Sequence, residues 1–311
     1  MSENTPDLSI PDLTGVRAVV TGASDGMGVG IAARLAGAGA EVILPVRNQR
    51  KGEVALAKIT TRSGSKRVSL RDLDLSSLSS VTALCDTLGE EGVPVGILIN
   101  NAGVMTPPSR RLTQDGFELQ FGTNFLGAFA LVMGLLPLLR SGHAHVTSQV
   151  SVAAASGSIK WDDLEWEHGY GDGMAAYRQS KIALGLFGLE LDRRSRELRW
   201  GITSNLSHPG IAPTSLLAAR PELGRDHAAR GRGLIGVLSR LGLVGTVESA
   251  GLPAVMAATS PDAQGGALYG PRGLGHLGGA PARQPLFKPL QDAVSAARIW
   301  ETAQELEGRR Q

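Results

Sequence analysis

Short apolar runs alternate with longer amphipathic segments along most of the chain. The apolar runs have the length and the β-branched content of buried strands. They predict strands at Arg17–Val20, Glu41–Val46, Val68–Leu73, Gly96–Ile99, Ala144–Thr147, Ile202–Ser207 and Ala267–Tyr269. The segments between them predict helices at Lys51–Thr61, Leu78–Leu88, Asp115–Leu139, Ala175–Leu198 and Val247–Ala257, besides one that begins near Met27. This alternation predicts an α/β fold, a doubly wound parallel sheet of about seven strands with helices on both faces.

Two segments interrupt the alternation, Ser151–Met174 and Ile211–Gly245. Each follows a predicted strand, and open α/β sheets bind ligands at the carboxyl ends of their strands. We therefore expect both segments to border a binding site. Their large apolar residues are explained equally well by a lipophilic pocket wall and by a cover over the core. These residues include Trp161, Trp166, Leu216, Leu217 and Leu234.

The chain is expected to form one domain. It shows no internal repeat, no linker and no second core, and α/β domains of this length are common. Residues 1–311 are thus assigned to a single unit, with a core at about 15–270 and a C-terminal extension at about 271–311. Within that extension, Phe287–Gln311 has the pattern of an amphipathic helix.

Composition limits the kinds of partner. With 31 basic and 29 acidic residues the formal net charge is +2, which gives no electrostatic case for binding nucleic acid. The single cysteine, Cys85, rules out a disulfide within the chain and is typical of a reducing compartment. The six histidines lack metal-ligand spacing, so no metal is expected. We expect a cytoplasmic protein, because no apolar run is long enough for a membrane span and no secretory signal pattern begins the chain.

A glycine-rich turn follows the first predicted strand and leads into the first predicted helix. It reads Thr21-Gly22-Ala23-Ser24-Asp25-Gly26-Met27-Gly28. Glycines allow a tight turn and close approach of a ligand, and the free N–H groups at a helix start bind phosphate. The spacing G-x-x-x-G-x-G departs from G-x-G-x-x-G, and the position between strand and helix gives the motif its weight. The turn predicts a dinucleotide site on a Rossmann-type fold.

Further motifs follow this turn in a characteristic order. They are Asn100-Asn101-Ala102-Gly103 at the end of the fourth strand, Asn124 in Asn-Phe-Leu-Gly, Ser148 after the fifth strand, Tyr177 and Lys181 as Tyr-x-x-x-Lys, and Pro209-Gly210 with Thr214 after the sixth. The ordered series resembles the short-chain dehydrogenase/reductase family over about Gly15 to Tyr269.

Less specific features resemble the retinol-dehydrogenase-like members of that family. They are Val46-Arg47-Asn48, the long Ser148–Tyr177 interval, and Tyr269-Gly270-Pro271 followed by Gly278-Gly279-Ala280-Pro281.

The resemblance implies an NAD(P)-dependent oxidoreductase acting on an alcohol or carbonyl substrate, which we expect to be small and lipophilic. The implied catalytic residues are Asn124, Ser148, Tyr177 and Lys181. The implied cofactor-binding residues are Gly22, Ser24, Asp25, Gly26, Met27, Gly28, Arg47, Asn48, Asp74, Leu75, Asn101, Ala102, Gly103, Tyr177, Lys181, Pro209, Gly210 and Thr214. It also implies that Lys181 binds the nicotinamide ribose, that Asn124 serves a water-linked proton relay, and that a homo-oligomer can form.

The residues themselves support this chemistry. Tyr177 and Lys181 are four positions apart in a predicted helix and share one face. A free tyrosine has a pKa of about 10, and a nearby ammonium group lowers it. Tyr177 can then exchange a proton with a reacting oxygen, and Ser148 can donate a hydrogen bond to that oxygen.

Arg47 and Asn48 indicate NADP rather than NAD as the cofactor. NAD sites usually carry an acidic residue at the end of the second strand, where it binds the ribose 2′-hydroxyl. A guanidinium group suits a 2′-phosphate instead. Asp25 is a contrary sign, because a carboxylate near that phosphate would repel it. Asp74 is expected, from the resemblance, to reach the adenine.

Two other functions remain open at this point. A hydro-lyase or epimerase on the same scaffold needs further acid–base groups, for which Glu165 and His168 are the candidates. A catalytically silent NADP-sensing regulator would keep the fold, although such proteins usually lack part of the catalytic set.

Overall fold

One mixed sheet forms the centre of the protein in the computed structural model, which describes residues 8–213, 218–228, 232–240 and 244–308. Its strands are β1 (Arg17–Val20), β2 (Glu41–Val46), β3 (Val68–Asp72), β4 (Ile97–Asn100), β5 (His145–Gln149), β6 (Thr203–Ser207), β7 (Leu268–Pro271) and β8 (Pro281–Gln284). Their order is β3-β2-β1-β4-β5-β6-β7-β8. The first seven are parallel, and β8 pairs antiparallel with β7.

The helices are α1 (Gly26–Gly37), α2 (Gln49–Ser63), α3 (Leu78–Glu91), α4 (Leu119–Phe121), α5 (Gly127–Gly134), α6 (Leu136–Ser141), α7 (Met174–Leu198), α8 (Arg232–Arg240), α9 (Val247–Ala250), α10 (Leu252–Thr259) and α11 (Ala293–Gly308). A π-helical turn at Gly122–Leu126 joins α4 to α5. None of the described helices is long and apolar enough to cross a membrane.

The sheet is covered on both faces, which confirms the predicted doubly wound fold. Val19 packs into one apolar cluster, with residues of α3, α5, α7 and α11. Its neighbours Ala18 and Val20 pack into a second cluster, with residues of α1, α2 and α10. Successive side chains of a strand point to opposite faces, so the coverage of both sides explains why β1 is apolar at successive positions from Ala18 to Val20.

The seven predicted strands are all present, with ends shifted by two residues at most. The structure adds β8, which starts at Pro281 and is only four residues long. The last helix, α11, packs into the apolar cluster that contains Val19. Its Trp300 is 1% exposed and contacts Phe129 edge-on, with the two ring centres 5.4 Å apart. Both β8 and α11 fall in the stretch that the sequence marked as an extension.

Two helices that the sequence predicted as single are interrupted. The segment Asp115–Leu139 contains α4, the π turn, α5 and the start of α6, and Pro137 stands at the beginning of α6. The segment Val247–Ala257 divides at Gly251, just before Pro253. Proline has no N–H for the helical hydrogen bond and suits a first turn, so a new helix starts at each proline.

Candidate active site

A cavity of about 930 Å³ opens at the carboxyl ends of the central strands. The strand order reverses between β1 and β4, because β2 and β3 lie on one side and β4 to β7 on the other. Ligands of open α/β sheets bind at this reversal point. The volume is in the range of cofactor and ligand pockets.

The glycine turn forms one wall of the cavity. Gly22 has a φ of 67°, a left-handed conformation that favours glycine. A Cβ on Gly28 would lie 2.3 Å from the Gly22 carbonyl oxygen, so the turn can close only with glycine there. The Asn101 amide nitrogen donates to the carbonyl oxygens of Thr21 (2.9 Å) and Gly22 (3.2 Å), which ties the turn to the end of β4.

Most of the predicted cofactor-binding residues line this one cavity. They are Gly22, Ser24, Asp25, Met27, Gly28, Arg47, Asn48, Asp74, Leu75, Asn101, Ala102, Gly103, Tyr177, Lys181, Pro209 and Gly210. Gly26 is the first residue of α1 within the same turn. Thr214 lies outside the described residues, as do Leu216 and Leu217.

The cavity fits a dinucleotide. Helix α1 begins at the turn, and Asp25 caps it by accepting a hydrogen bond from Gly26 N at 2.7 Å. The Asn101 side-chain oxygen is buried and has no hydrogen-bond partner among the described residues. Buried polar atoms normally have partners, so this oxygen indicates a polar ligand beside the turn.

Another part of the cavity wall is formed by charged residues that follow β2. Arg47 directly follows β2, is exposed, and lines the cavity together with Lys51. Asn48 caps α2 by accepting a hydrogen bond from Lys51 N at 2.9 Å. The Asp74 carboxylate accepts from both the Ser76 N–H (2.9 Å) and the Ser76 hydroxyl (2.6 Å). Asp74 is thereby held in place on the cavity wall.

Tyr177 and Lys181 stand on the first two turns of α7 and both line the cavity. The Lys181 ammonium group donates to the carbonyl oxygen of Gln149 at 2.9 Å. Tyr177 is 4% exposed, and the side chain of Ser151 is close enough to its phenol to lower the pKa of that phenol. Ser151 also lines the cavity. A phenol, a hydroxyl and an ammonium group therefore share one wall.

Burial is the main influence on the pKa values of Tyr177 and Lys181. Burial raises the pKa of the Tyr177 phenol, and the Ser151 side chain partly offsets that rise. Burial lowers the pKa of Lys181 to about 8, so the ammonium form still predominates at neutral pH. The sequence predicts that the ammonium group lowers the pKa of Tyr177; the two causes that act on this pKa are instead burial and the Ser151 side chain.

Ser148 does not belong to this wall, contrary to the sequence prediction. It lies inside β5, paired with Asn100 of β4 and Leu206 of β6. Its side chain faces α7, where a Cβ on Gly188 would lie 3.6 Å from the Ser148 hydroxyl. Strand β5 runs two residues beyond its predicted end, and this extension turns Ser148 into a strand residue. Ser151, which the sequence analysis did not single out, is the serine that lines the cavity with Tyr177.

Asn124 occupies the π-helical turn and holds the chain after β4. Its side-chain oxygen accepts from Val104 N (2.7 Å), and its amide nitrogen donates to Val104 O and Ser180 Oγ (both 2.9 Å). A Cβ on Gly103 would lie 3.0 Å from Asn124 Oδ1 and 3.3 Å from Lys181 Nζ. Asn124 is therefore close to Lys181, although its own side chain does not line the cavity.

Glu165 and His168, the candidates for lyase or epimerase chemistry, lie away from the cavity. The Glu165 carboxylate accepts a hydrogen bond from the backbone N–H of Glu118, and burial raises the pKa of Glu165. The His168 side chain is exposed, with its Nδ1 3.7 Å from an Asp163 oxygen. Neither residue is among those that line the cavity.

Part of the cavity wall is apolar, but the residues that form it differ from those expected. Trp161 packs against the main core with the Arg298 guanidinium 4.0 Å from its ring centre, and Trp166 is likewise absent from the lining. Trp161 therefore fits the alternative that it covers the core. The apolar lining here is Val104, Met105, Val152, Ala153, Met174, Ile211, Ala212 and Ile235.

Comparison with known proteins agrees with the geometry of the cavity. The sequence model of the short chain dehydrogenase family matches residues 17–222. The chain is 42% identical to human retinol dehydrogenase 13 over 205 residues, 66% of this chain and 61% of that protein. It is 39% identical to mouse polyprenol dehydrogenase over 212 residues, 67% of this chain and 63% of that protein.

A solved structure extends the likeness to nearly the whole chain. The crystal structure of an uncharacterized protein from Mycobacterium paratuberculosis has a TM-score of 0.76 and 32% identity, with 96% of each chain covered. The two dehydrogenases, by contrast, are matched over less than two thirds of their own length. With the family match over more than half of its length and the Tyr177–Lys181 pair beside the glycine turn, this chain belongs to the short-chain dehydrogenase family.

Proposed function

We propose that the protein is an NADP(H)-dependent oxidoreductase that transfers a hydride between the nicotinamide and an alcohol or carbonyl substrate. The observation that carries the proposal is the shared cavity, where Tyr177, Ser151 and Lys181 stand on one wall and the glycine turn on another. The groups proposed to bind phosphate and to transfer a proton thus line one cavity, which supports the proposal.

Each of the three residues has a distinct proposed part. Ser151 donates a hydrogen bond to the substrate oxygen and stabilises the negative charge that develops there. Tyr177 exchanges a proton with the same oxygen, as acid in reduction and as base in oxidation. Lys181 places an ammonium charge that favours the phenolate form of Tyr177, and its hydrogen bond to Gln149 O fixes its position. When bound, the nicotinamide supplies or accepts the hydride.

The other predicted catalytic and cofactor-binding residues have supporting roles in this proposal. Asn124 positions the chain at Val104, next to Lys181, through its three hydrogen bonds. Gly22, Gly26 and Gly28 form the turn at which the pyrophosphate would lie against the start of α1. Asn101 holds that turn in place.

The proposed substrate is lipophilic. The support is the set of aliphatic and methionine side chains that line the same cavity as Tyr177, because apolar walls are typical of pockets for lipophilic ligands. The names of the relatives, retinol dehydrogenase and polyprenol dehydrogenase, agree with such a substrate. The experiment is to add long-chain and ring-bearing aldehydes and ketones to the protein with NADPH. We expect NADPH consumption with at least one of these classes, and none with any class would contradict the proposal.

Arg47 is proposed to select NADP. Arg47→Ala should weaken NADPH binding about 10–100-fold, because hydrogen bonds to a charged phosphate contribute more than neutral ones. NADH affinity should change little, since NADH has no 2′-phosphate. Calorimetric titration of both cofactors against both proteins gives the four dissociation constants.

A matched control is Arg50→Ala. Arg50 is exposed in the first turn of α2 but does not line the cavity, so its loss should leave both affinities near those of the wild type. A wild-type protein that binds NADH as tightly as NADPH would show that Arg47 does not read the phosphate. Equal losses of NADPH affinity in the two arginine variants would show that Arg47 acts only through its general positive charge and not by contact with the 2′-phosphate.

A further inference from the structure

Gln149 places a buried amide on the cavity wall, and the proposed mechanism uses only its main chain. It is the last residue of β5, and its carbonyl oxygen accepts the hydrogen bond from Lys181. The residue is 2% exposed and lines the cavity. A buried amide beside a ligand site is costly unless its polar atoms find partners.

The oxygen half of this amide has its partner within the sheet. Ser207 is the last residue of β6 and pairs with Gln149 in register. Its hydroxyl, which is fully buried, donates a hydrogen bond to Gln149 Oε1. This contact turns the oxygen of the amide towards β6 and leaves the nitrogen to face the glycine turn.

The nitrogen half has only a weak partner in the described chain. Gln149 Nε2 lies 3.4 Å from the thioether sulfur of Met27, the cavity-lining residue at the start of α1. A thioether is a poor acceptor, whereas an amide nitrogen offers two N–H groups. Buried donors are normally satisfied, so this nitrogen is suited to an acceptor on a bound ligand.

We propose that the Gln149 side chain donates a hydrogen bond to the carboxamide oxygen of the bound nicotinamide. The inference rests on the proposed function, which needs the nicotinamide between the glycine turn and Tyr177. Gln149 lies in that interval, since it touches Met27 on one side and Lys181 on the other. A donor fixed there by Ser207 would restrict rotation of the ring and so select the face turned towards the substrate.

The test replaces Gln149 by methionine, which has similar length but no N–H donor and keeps the main-chain carbonyl for Lys181. Dissociation constants are measured by calorimetry for NADPH, for an NADPH analogue that lacks the carboxamide, and for adenosine 2′,5′-bisphosphate. Gln149→Met should weaken NADPH binding about tenfold, as expected for one hydrogen bond. It should leave both the truncated analogue and the adenosine fragment unchanged.

The three ligands separate the outcomes. Unchanged NADPH affinity in Gln149→Met overturns the proposed role of Gln149. An equal loss of affinity for NADPH and for adenosine 2′,5′-bisphosphate also overturns it, because such a loss would reveal a general change in the cavity. If the wild-type protein binds neither NADPH nor NADH, the proposed function itself fails. An intact affinity for the adenosine fragment shows at the same time that the variant is folded.

Discussion

Replacing Tyr177 by phenylalanine is expected to lower kcat by about 10²–10⁴-fold, the usual contribution of a positioned general acid or base. The substitution removes one hydroxyl and keeps the ring that packs at the start of α7. Tyr177 is 4% exposed, and the Ser151 side chain lies beside its phenol. NADPH affinity and thermal stability should therefore stay close to those of the wild type. The measurement is steady-state NADPH consumption with the best substrate found, beside a cofactor titration.

Tyr269→Phe is the matched control for this experiment. Tyr269 is another buried tyrosine, 2% exposed, and its hydroxyl accepts a hydrogen bond from Gln264 N at 2.8 Å. It does not line the cavity, so losing this hydroxyl should cost about 1 kcal/mol of stability and leave kcat unchanged. If Tyr177→Phe kept wild-type turnover, Tyr177 would not be the proton-transfer group.

The second large effect is expected at Ser151. Ser151→Ala removes the donor beside Tyr177, and loss of one such donor typically lowers kcat by about 10²–10³-fold. Ser148→Ala is the sharpest comparison, because it makes the same chemical change three residues earlier in the chain. The Ser148 hydroxyl is buried inside the sheet and has no hydrogen-bond partner among the described residues. Its loss should leave kcat near the wild-type value.

The two serine variants together decide between the assignments. Turnover is measured at saturating NADPH and substrate, and a thermal melt of each variant checks its fold. A large loss of turnover in Ser148→Ala, with Ser151→Ala near the wild type, would restore the assignment made from sequence. Large losses in both, with unchanged melting temperatures, would also contradict the geometry described for β5.

Much of the fold follows from local pattern. The central strands β1, β2 and β4 are covered on both faces, and each is a nearly continuous apolar run that stands out from the amphipathic helices around it. The pairing of Tyr177 with Lys181 was likewise predictable, because a spacing of four places both on one face of a helix. The glycine turn could be located because strand and helix flank it directly.

The choice between Ser148 and Ser151 depends on where a strand stops, and strand ends are poorly marked in sequence. Strand β5 continues through Ser148 and Gln149 because Asn100, Leu206 and Ser207 on the neighbouring strands offer partners for them. Those partners are distant in sequence. The apolar pattern alone ends the strand at Thr147 and so places Ser148, the serine that the family resemblance implies as catalytic, directly after the strand.

The cavity wall shows the same dependence on distant contacts. Trp161 belongs to the first irregular segment, yet its ring packs beneath Arg298 of α11. Val104 and Met105, which follow β4, line the cavity instead. Proximity to Tyr177 in the sequence therefore does not predict which residues line the cavity. Strand β8 was missed for a related reason: it is short, starts with proline and pairs on one side only.

The most direct test of the central claim follows the hydride itself. The protein is incubated in ordinary water with a lipophilic aldehyde or ketone and NADPH that carries deuterium on the transferable position of the nicotinamide, and the product alcohol is examined by mass spectrometry. The account predicts one deuterium on the former carbonyl carbon, with its formation strongly slowed in Tyr177→Phe. An alcohol without deuterium, or deuterium transfer that is equally fast in wild type and Tyr177→Phe, would contradict it.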